Sequence, residues 1–200
     1  RAASVRLRVL AEDARASGDE LARARAELAQ SLLLHVQGNS GAAITRAETA
    51  LAIAQSVGDP YGQIAALDAL CDETLTRRAA GEAPPDHVTD SVRQAAEYQR
   101  RLISLLEGLG DRVAMLSAVN KLALLEERLG DLDAALALHE RTRVLAESLE
   151  ARRHEATAWL YIGQCHRRRQ RYDAAVAALE KCAGMVQDGA RPGVQMILAG

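Results

Sequence analysis

Val119-Asn120-Lys121-Leu122-Ala123-Leu124-Leu125, followed by Gly130-Asp131-Leu132-Asp133-Ala134-Ala135, is the stretch on which the fold turns. Apolar residues recur at three and four on either side of a Gly-Asp break, which predicts two amphipathic helices joined by a short turn. Val119, Leu122, Ala123 and Glu126 fall on the inward stripe of the first helix, and Ala135, His139 and Thr142 on that of the second. Outward from this stretch the pattern repeats. Gly18-Asp19-Glu20-Leu21 recurs 40 residues later as Gly58-Asp59-Pro60-Tyr61 and a further 52 later as Gly110-Asp111-Arg112-Val113, with a weaker copy, Glu150-Ala151, another 40 along. Ala3, Ala43, Ala95, Ala135 and Ala175 mark the same frame independently. The period is therefore 40, with one insertion of 12 residues.

The frame divides the chain into a single array. Residues 1–17 are half a repeat, 18–57, 58–109, 110–149 and 150–189 are full repeats, and 190–200 begin a further one, with Pro192 at the first position of its helix. The insertion lies within 77–90, where Gly81 and Pro84-Pro85 break the helix and Asp86 supplies a cap for the next. It serves either as a binding loop or as tolerated slack. Each repeat is a helical hairpin. The slot eight residues into the first helix holds Ser31, Cys71, Ala123 and Gly163, all small, and its partner on the second helix is always Ala, so the paired backbones can approach closely. In the fourth repeat Trp159, Ile162, Gly163 and His166 form one stripe, Gln170-Arg171 the turn, and Ala175, Leu179 and Cys182 the second stripe. Glu27 and Gln30 stand where apolar residues are expected.

Composition narrows the function classes. The 200 residues are 48% apolar and 26% charged, average globular usage, which argues against disorder. Phe is absent and there is one Trp, so the interior must be built from Ala, Leu, Val and Ile, which favours helices. A net charge of −2 gives no field to attract nucleic acid or anionic membrane. No apolar run is long enough to span a bilayer and no signal sequence opens the chain, so a soluble protein is expected. Cys71, Cys165 and Cys182 cannot all pair and lie within helical patterns, which points to a reducing, cytoplasmic setting. Of 25 basic residues only Lys121 and Lys181 are lysine, which suggests a GC-rich, bacterial coding sequence.

The small residue at position 8, Ala at 20 and an aromatic or large aliphatic residue at 4, best kept in Trp159-Leu160-Tyr161-Ile162-Gly163, resemble the tetratricopeptide repeat. The period of 40 resembles its longer variety, seen in kinesin light chains and bacterial regulatory proteins. The resemblance implies an all-α, right-handed superhelix of antiparallel hairpins, a tetratricopeptide-like α-solenoid, that binds protein or peptide. It also implies that positions 2, 5, 9 and 12 of each first helix line the concave face. Those are Arg25, Leu28, Leu32 and His35; Ala65, Asp68, Asp72 and Leu75; Ser117, Asn120, Leu124 and Glu127; and Thr157, Leu160, Gln164 and Arg167, with Arg168 adding charge. Asn120 is the leading contact, because its amide both donates and accepts and pairs with a peptide backbone of any sequence. A solvated Asn on a helix face is the equal alternative. The lysine and asparagine pair of chaperone-binding relatives is met by no repeat here, so chaperone C-termini are not the expected ligand.

Catalytic motifs are absent as patterns. His139-Glu140 and His154-Glu155 begin like the zinc-protease helix, but Arg143 and Ala158 stand where the second His belongs. Gly108-Leu109-Gly110 follows a helix rather than a strand and is a turn. Cys165, His166 and Cys182 are one ligand short of a closed zinc site and read as packed interior; no metal and no cofactor are expected. Arg167-Arg168-Arg169-Gln170-Arg171, with Arg152-Arg153-His154 taken as nearby, reads first as a solvated helix end and second as an anion site.

The expected function is thus non-catalytic binding of a protein or peptide, as the sensory or scaffold segment of a larger bacterial signalling or transcription-regulatory protein, for example beside a diguanylate cyclase or a DNA-binding domain. A stand-alone assembly scaffold and a small-molecule or nucleotide sensor at the Arg cluster are the alternatives. No membrane or nucleic-acid partner is expected. The sequence opens without Met and closes inside a repeat, as an excised piece of a longer array would, and open apolar ends predict homo-oligomeric association.

Overall fold

A computed structural model describes residues 9, 12–14, 16–79 and 88–198, with side chains for 9, 12–14, 16–75 and 90–186. The expected half repeat before Ala14 lies largely outside the described residues, as do the insertion over 80–87 and its Asp86 cap. The fold is all-α, of the helical-hairpin solenoid class, with no strand among the described residues. It falls into two compact units, one ending at Gly110 and the other starting at Asp111. In the first, α1 (Glu20–Val36), α2 (Ser40–Ser56), α3 (Pro60–Ala79) and α4 (Val88–Leu109) pack each on the next, and α1 also reaches α3. In the second, α5 (Arg112–Leu129), α6 (Leu132–Ser148), α7 (Arg152–Arg168) and α8 (Tyr172–Leu198) do the same. No helix among the described residues is long and apolar enough to cross a membrane.

The Gly-Asp landmarks act at the backbone. Gly110 and Gly130 take φ of 69° and 86°, the left-handed conformation that reverses the chain after a helix. The aspartates that follow cap the next helix: Asp111 and Asp131 accept the amides of Ala114 and Ala134 at 3.0 and 2.9 Å. Asp19 and Asn39 do the same for α1 and α2. At the degenerate copies the geometry survives without the residue type. Glu150 and Gln170 hold φ of 54° and 58°, and Ala151 begins α7 with no side-chain cap.

The small-residue slots and their alanine partners lie in the buried core. Ser31, Cys71, Ala123 and Gly163 are buried, as are Ala43, Ala95, Ala135 and Ala175. Ser31 Oγ donates to the Ala43 carbonyl at 2.8 Å. A Cβ added to Gly163 would stand 2.8 Å from Leu179 Cγ and 3.3 Å from the Ala175 carbonyl, so only glycine fits this crossing without movement. Glu27 fills its apolar slot at 1% exposure because Arg46 reaches it at 2.8 Å, replacing packing by an ion pair with one solvated end.

Three expectations are corrected. Pro192 does not open a helix, for α8 continues through it to Leu198; proline's φ is already helical, and the cost is one lost backbone hydrogen bond. Leu179 is 37% exposed although its side chain reaches the Gly163 crossing, and Cys182 is only half-buried because it borders an open cleft between α7 and α8. Trp159 lies at the edge of the core rather than in it, half-buried, with Arg143 and Lys181 over its ring at 5.1 and 4.1 Å.

Candidate functional site

None of the predicted concave-face residues belongs to the buried core. In the first unit the structure brings most of them together. Arg25, Leu28, Leu32 and His35 follow one another at three and four along α1, and Ala65, Asp68 and Asp72 do so along α3, so each set forms one stripe. The two stripes line a cleft of about 430 Å³, with Ala29, Ser31, Ala69 and Glu73 completing it. Leu32 is 66% exposed, far more than an isoleucine- or leucine-built core would leave open. Asp68 and Asp72 are exposed at its wall. His35 Nδ1 stands 2.6 Å from Glu73 Oε1, whose carboxylate is buried. Leu75 is half-buried and does not line the cleft. Glu73 carries no signal in the sequence, since the concave-face periodicity selects Asp72 and passes over its neighbour.

In the second unit the predicted residues divide. Asn120 is half-buried and its Oδ1, shielded from solvent, has no hydrogen-bond partner among the described residues. Ser117 is exposed, and Leu124 and Gln164 are half-buried. Thr157 and Leu160 open onto a second cleft, of about 510 Å³, with Arg152, Arg153, Ala156, Cys182, Met185 and Val186. Asn120 and Leu124 take no part in it.

Glu127 does not stand free in a groove. Its Oε2 accepts from Arg168 Nη1 at 2.9 Å and its Oε1 lies 3.0 Å from His139 Nε2. Burial pushes the Cys165 thiol up to about 11, with the adjacent Glu127 carboxylate adding to the shift. Desolvation also lowers His139 below its ordinary 6.5, against the hydrogen bond and charge of Glu127. The Tyr161 ring stacks on the imidazole at 4.9 Å and 18°.

The basic cluster is also rearranged. Arg152-Arg153 and Arg167-Arg168 occupy opposite ends of α7, which at 1.5 Å per residue puts them about 22 Å apart, so they are not one patch. Arg168 pairs with Glu127 and Arg169 with Asp133, while Arg167 is exposed at the helix C-terminus, where the macrodipole favours cations. Among the described residues Cys71, Cys165 and Cys182 form no disulfide.

Residues 112–188 match the tetratricopeptide-repeat family model. Among solved structures, a signal-transduction ATPase with numerous domains and a tetratricopeptide-repeat sensor, from Pyrococcus horikoshii, is 12% identical with a TM-score of 0.70 over 86% of this chain and 25% of that one. The chain thus spans a quarter of the length of that protein. BtubC from P. vanneervenii is 15% identical, TM-score 0.69, over 91% of this chain and 79% of that one. A putative kinesin light chain from Podospora anserina, with nearly identical tetratricopeptide-like repeats, is 15% identical, TM-score 0.67, over 94% and 98%. No curated protein sequence matches.

Proposed function

Taking a chain that carries tetratricopeptide repeats over residues 112–188 and shares the fold of such proteins along most of its length, we propose that it is a non-catalytic module that binds a peptide segment. The site is the cleft between α1 and α3. The observation that carries this reading is the cleft's make-up: Leu28 and Leu32 present apolar surface to solvent beside Ala65 and Ala69, with Asp68 and Asp72 alongside. Its volume, about 430 Å³, lies in the range that engages a few side chains. Leu28 and Leu32 would take an apolar anchor, and the two carboxylates a lysine or arginine near it. Asn120 is proposed as a second, backbone-reading contact for a partner that engages the other unit.

The module would serve as the sensory or scaffold segment of a larger bacterial regulatory protein in the cytoplasm. The tetratricopeptide-repeat sensor carried by the Pyrococcus protein supports the first of these, and three cysteines outside any disulfide fit a reducing compartment. Occupancy of the cleft would favour one spacing of α1 and α3 over others and so bias whatever domain the array is joined to. A nucleotide sensor at the Arg cluster has less support, because Arg168 and Arg169 already hold carboxylate partners.

The test is selection of a random peptide library on the protein, followed by binding to Leu32→Asp. Selected peptides should carry an apolar residue close to a basic one and lose at least about tenfold in affinity on Leu32→Asp, since burying a leucine is worth about 2 kcal/mol. Peptides that bind the variant as well as the parent would refute the site.

A further inference from the structure

We propose that Glu127, His139 and Cys165 form a binding site for a zinc-class divalent ion inside the second unit, contrary to the expectation from sequence that the chain holds no metal. The three come from three helices, the last turn of α5, the middle of α6 and the end of α7, and the structure places one ligand atom of each within 4.8 Å of the others. Thiolate, imidazole and carboxylate are the donor set that zinc accepts, and three protein ligands leave the fourth tetrahedral position for water. Zinc bonds of about 2.0–2.3 Å in a tetrahedron separate donors by roughly 3.3–3.6 Å. Glu127 Oε1 and His139 Nε2, at 3.0 Å, already stand near that separation, and closing the set on an ion needs a shift of about an ångström.

The surroundings orient the ligands. Arg168 holds Glu127 Oε2, which leaves Oε1 directed at His139, the outer-shell arrangement that fixes a ligating carboxylate. Tyr161 stacked on His139 sets the plane of the imidazole. His139 and Cys165 are fully buried, while the Glu127 side chain keeps 13% exposure and gives an ion its way in. On binding, the thiol proton leaves to solvent and the imidazole coordinates through Nε2 with its own proton on Nδ1.

The frame shows how the set assembles at this place. Position 12 of one first helix meets position 10 of the next, and in the first unit that pair is His35 and Glu73, 2.6 Å apart. In the second unit the same pair is Glu127 and Cys165, and His139 enters from α6 at a position that holds Ala47, Gln99 or Leu179 in the other repeats.

The full chain, untagged and stripped of metal, is titrated with Co²⁺ and then Zn²⁺. One Co²⁺ per chain should bind with a thiolate-to-cobalt charge-transfer band and intense tetrahedral ligand-field bands, both removed by Zn²⁺, and Zn²⁺ should raise the melting temperature. The bands should persist in Cys71→Ser/Cys182→Ser and vanish in Cys165→Ala, with folding checked by metal-free circular dichroism. Glu127→Gln, half-buried and isosteric, should weaken Co²⁺ binding at least about tenfold and stands in should Cys165→Ala fail to fold. Absence of a charge-transfer band in the parent chain, its survival in Cys165→Ala, or unchanged affinity in Glu127→Gln overturns the proposal.

Discussion

Gln170 and Glu150 hold left-handed backbone, φ 58° and 54°, at turns where the other repeats use glycine, and a side chain costs about 1 kcal/mol in that conformation. Gln170→Gly should therefore raise stability by roughly 0.5–1 kcal/mol, read as an increased urea midpoint at unchanged slope. Gly163 is the opposite case. Leu179 is exposed and can swing aside, but the Ala175 carbonyl is backbone, so Gly163→Val should lose about 2 kcal/mol in the same measurement. His139 sets a pH dependence of the metal-free protein. Its folded value lies below 6.5, so between the two values the unfolded chain binds more protons and stability rises with pH. The stability it contributes is complete above 6.5 and is lost as pH falls from there through the lowered folded value. The groups facing it are Glu127, whose carboxylate Arg168 holds from its other side, Cys165 and the stacked Tyr161. In chelator, His139→Gln should flatten the fall in melting temperature below pH 6.5, and an undiminished fall would place the titrating group elsewhere.

At the scale of elements, the helices depend on their caps and on the slots where they cross. Asp131→Ala removes the bond to the Ala134 amide and should cost about 1 kcal/mol, whereas Ala151, which caps nothing, should gain from Ala151→Asp by a similar amount. The hairpins were legible because both devices are local. Gly-Asp at the turn, a small residue at position 8 and Ala at 20 sit in one repeat and recur every 40 residues. Glu27 broke the apolar pattern without breaking the helix, because its partner Arg46 lies on the facing helix, 19 residues on, where no periodicity looks. The candidate sites divide along the same line. The α1 and α3 stripes could be read from the frame, since each lies along one helix. The joining of Glu127, His139 and Cys165 could not, because it depends on how three helices meet, whereas the helical stripes of the fourth repeat group Cys165 with His166 and Cys182. Likewise one helix length separates two arginine groups that looked adjacent in the chain.

At the scale of the whole molecule, α8 presents Tyr172, Val176, Leu179 and Val186 to solvent along one stripe. An apolar helix face of this kind predicts concentration-dependent association. Sedimentation velocity should show the average mass rising with concentration, and Val176→Lys/Val186→Lys should hold the chain monomeric at the same loading. The central claim, that the α1–α3 cleft receives a peptide, is tested most directly by methyl NMR of leucine-labelled protein with a selected peptide. The Leu28 and Leu32 methyl resonances should shift most and saturate with the peptide's binding curve. Shifts confined to Leu160, in the cleft between α7 and α8, with Leu28 and Leu32 unmoved, would contradict it.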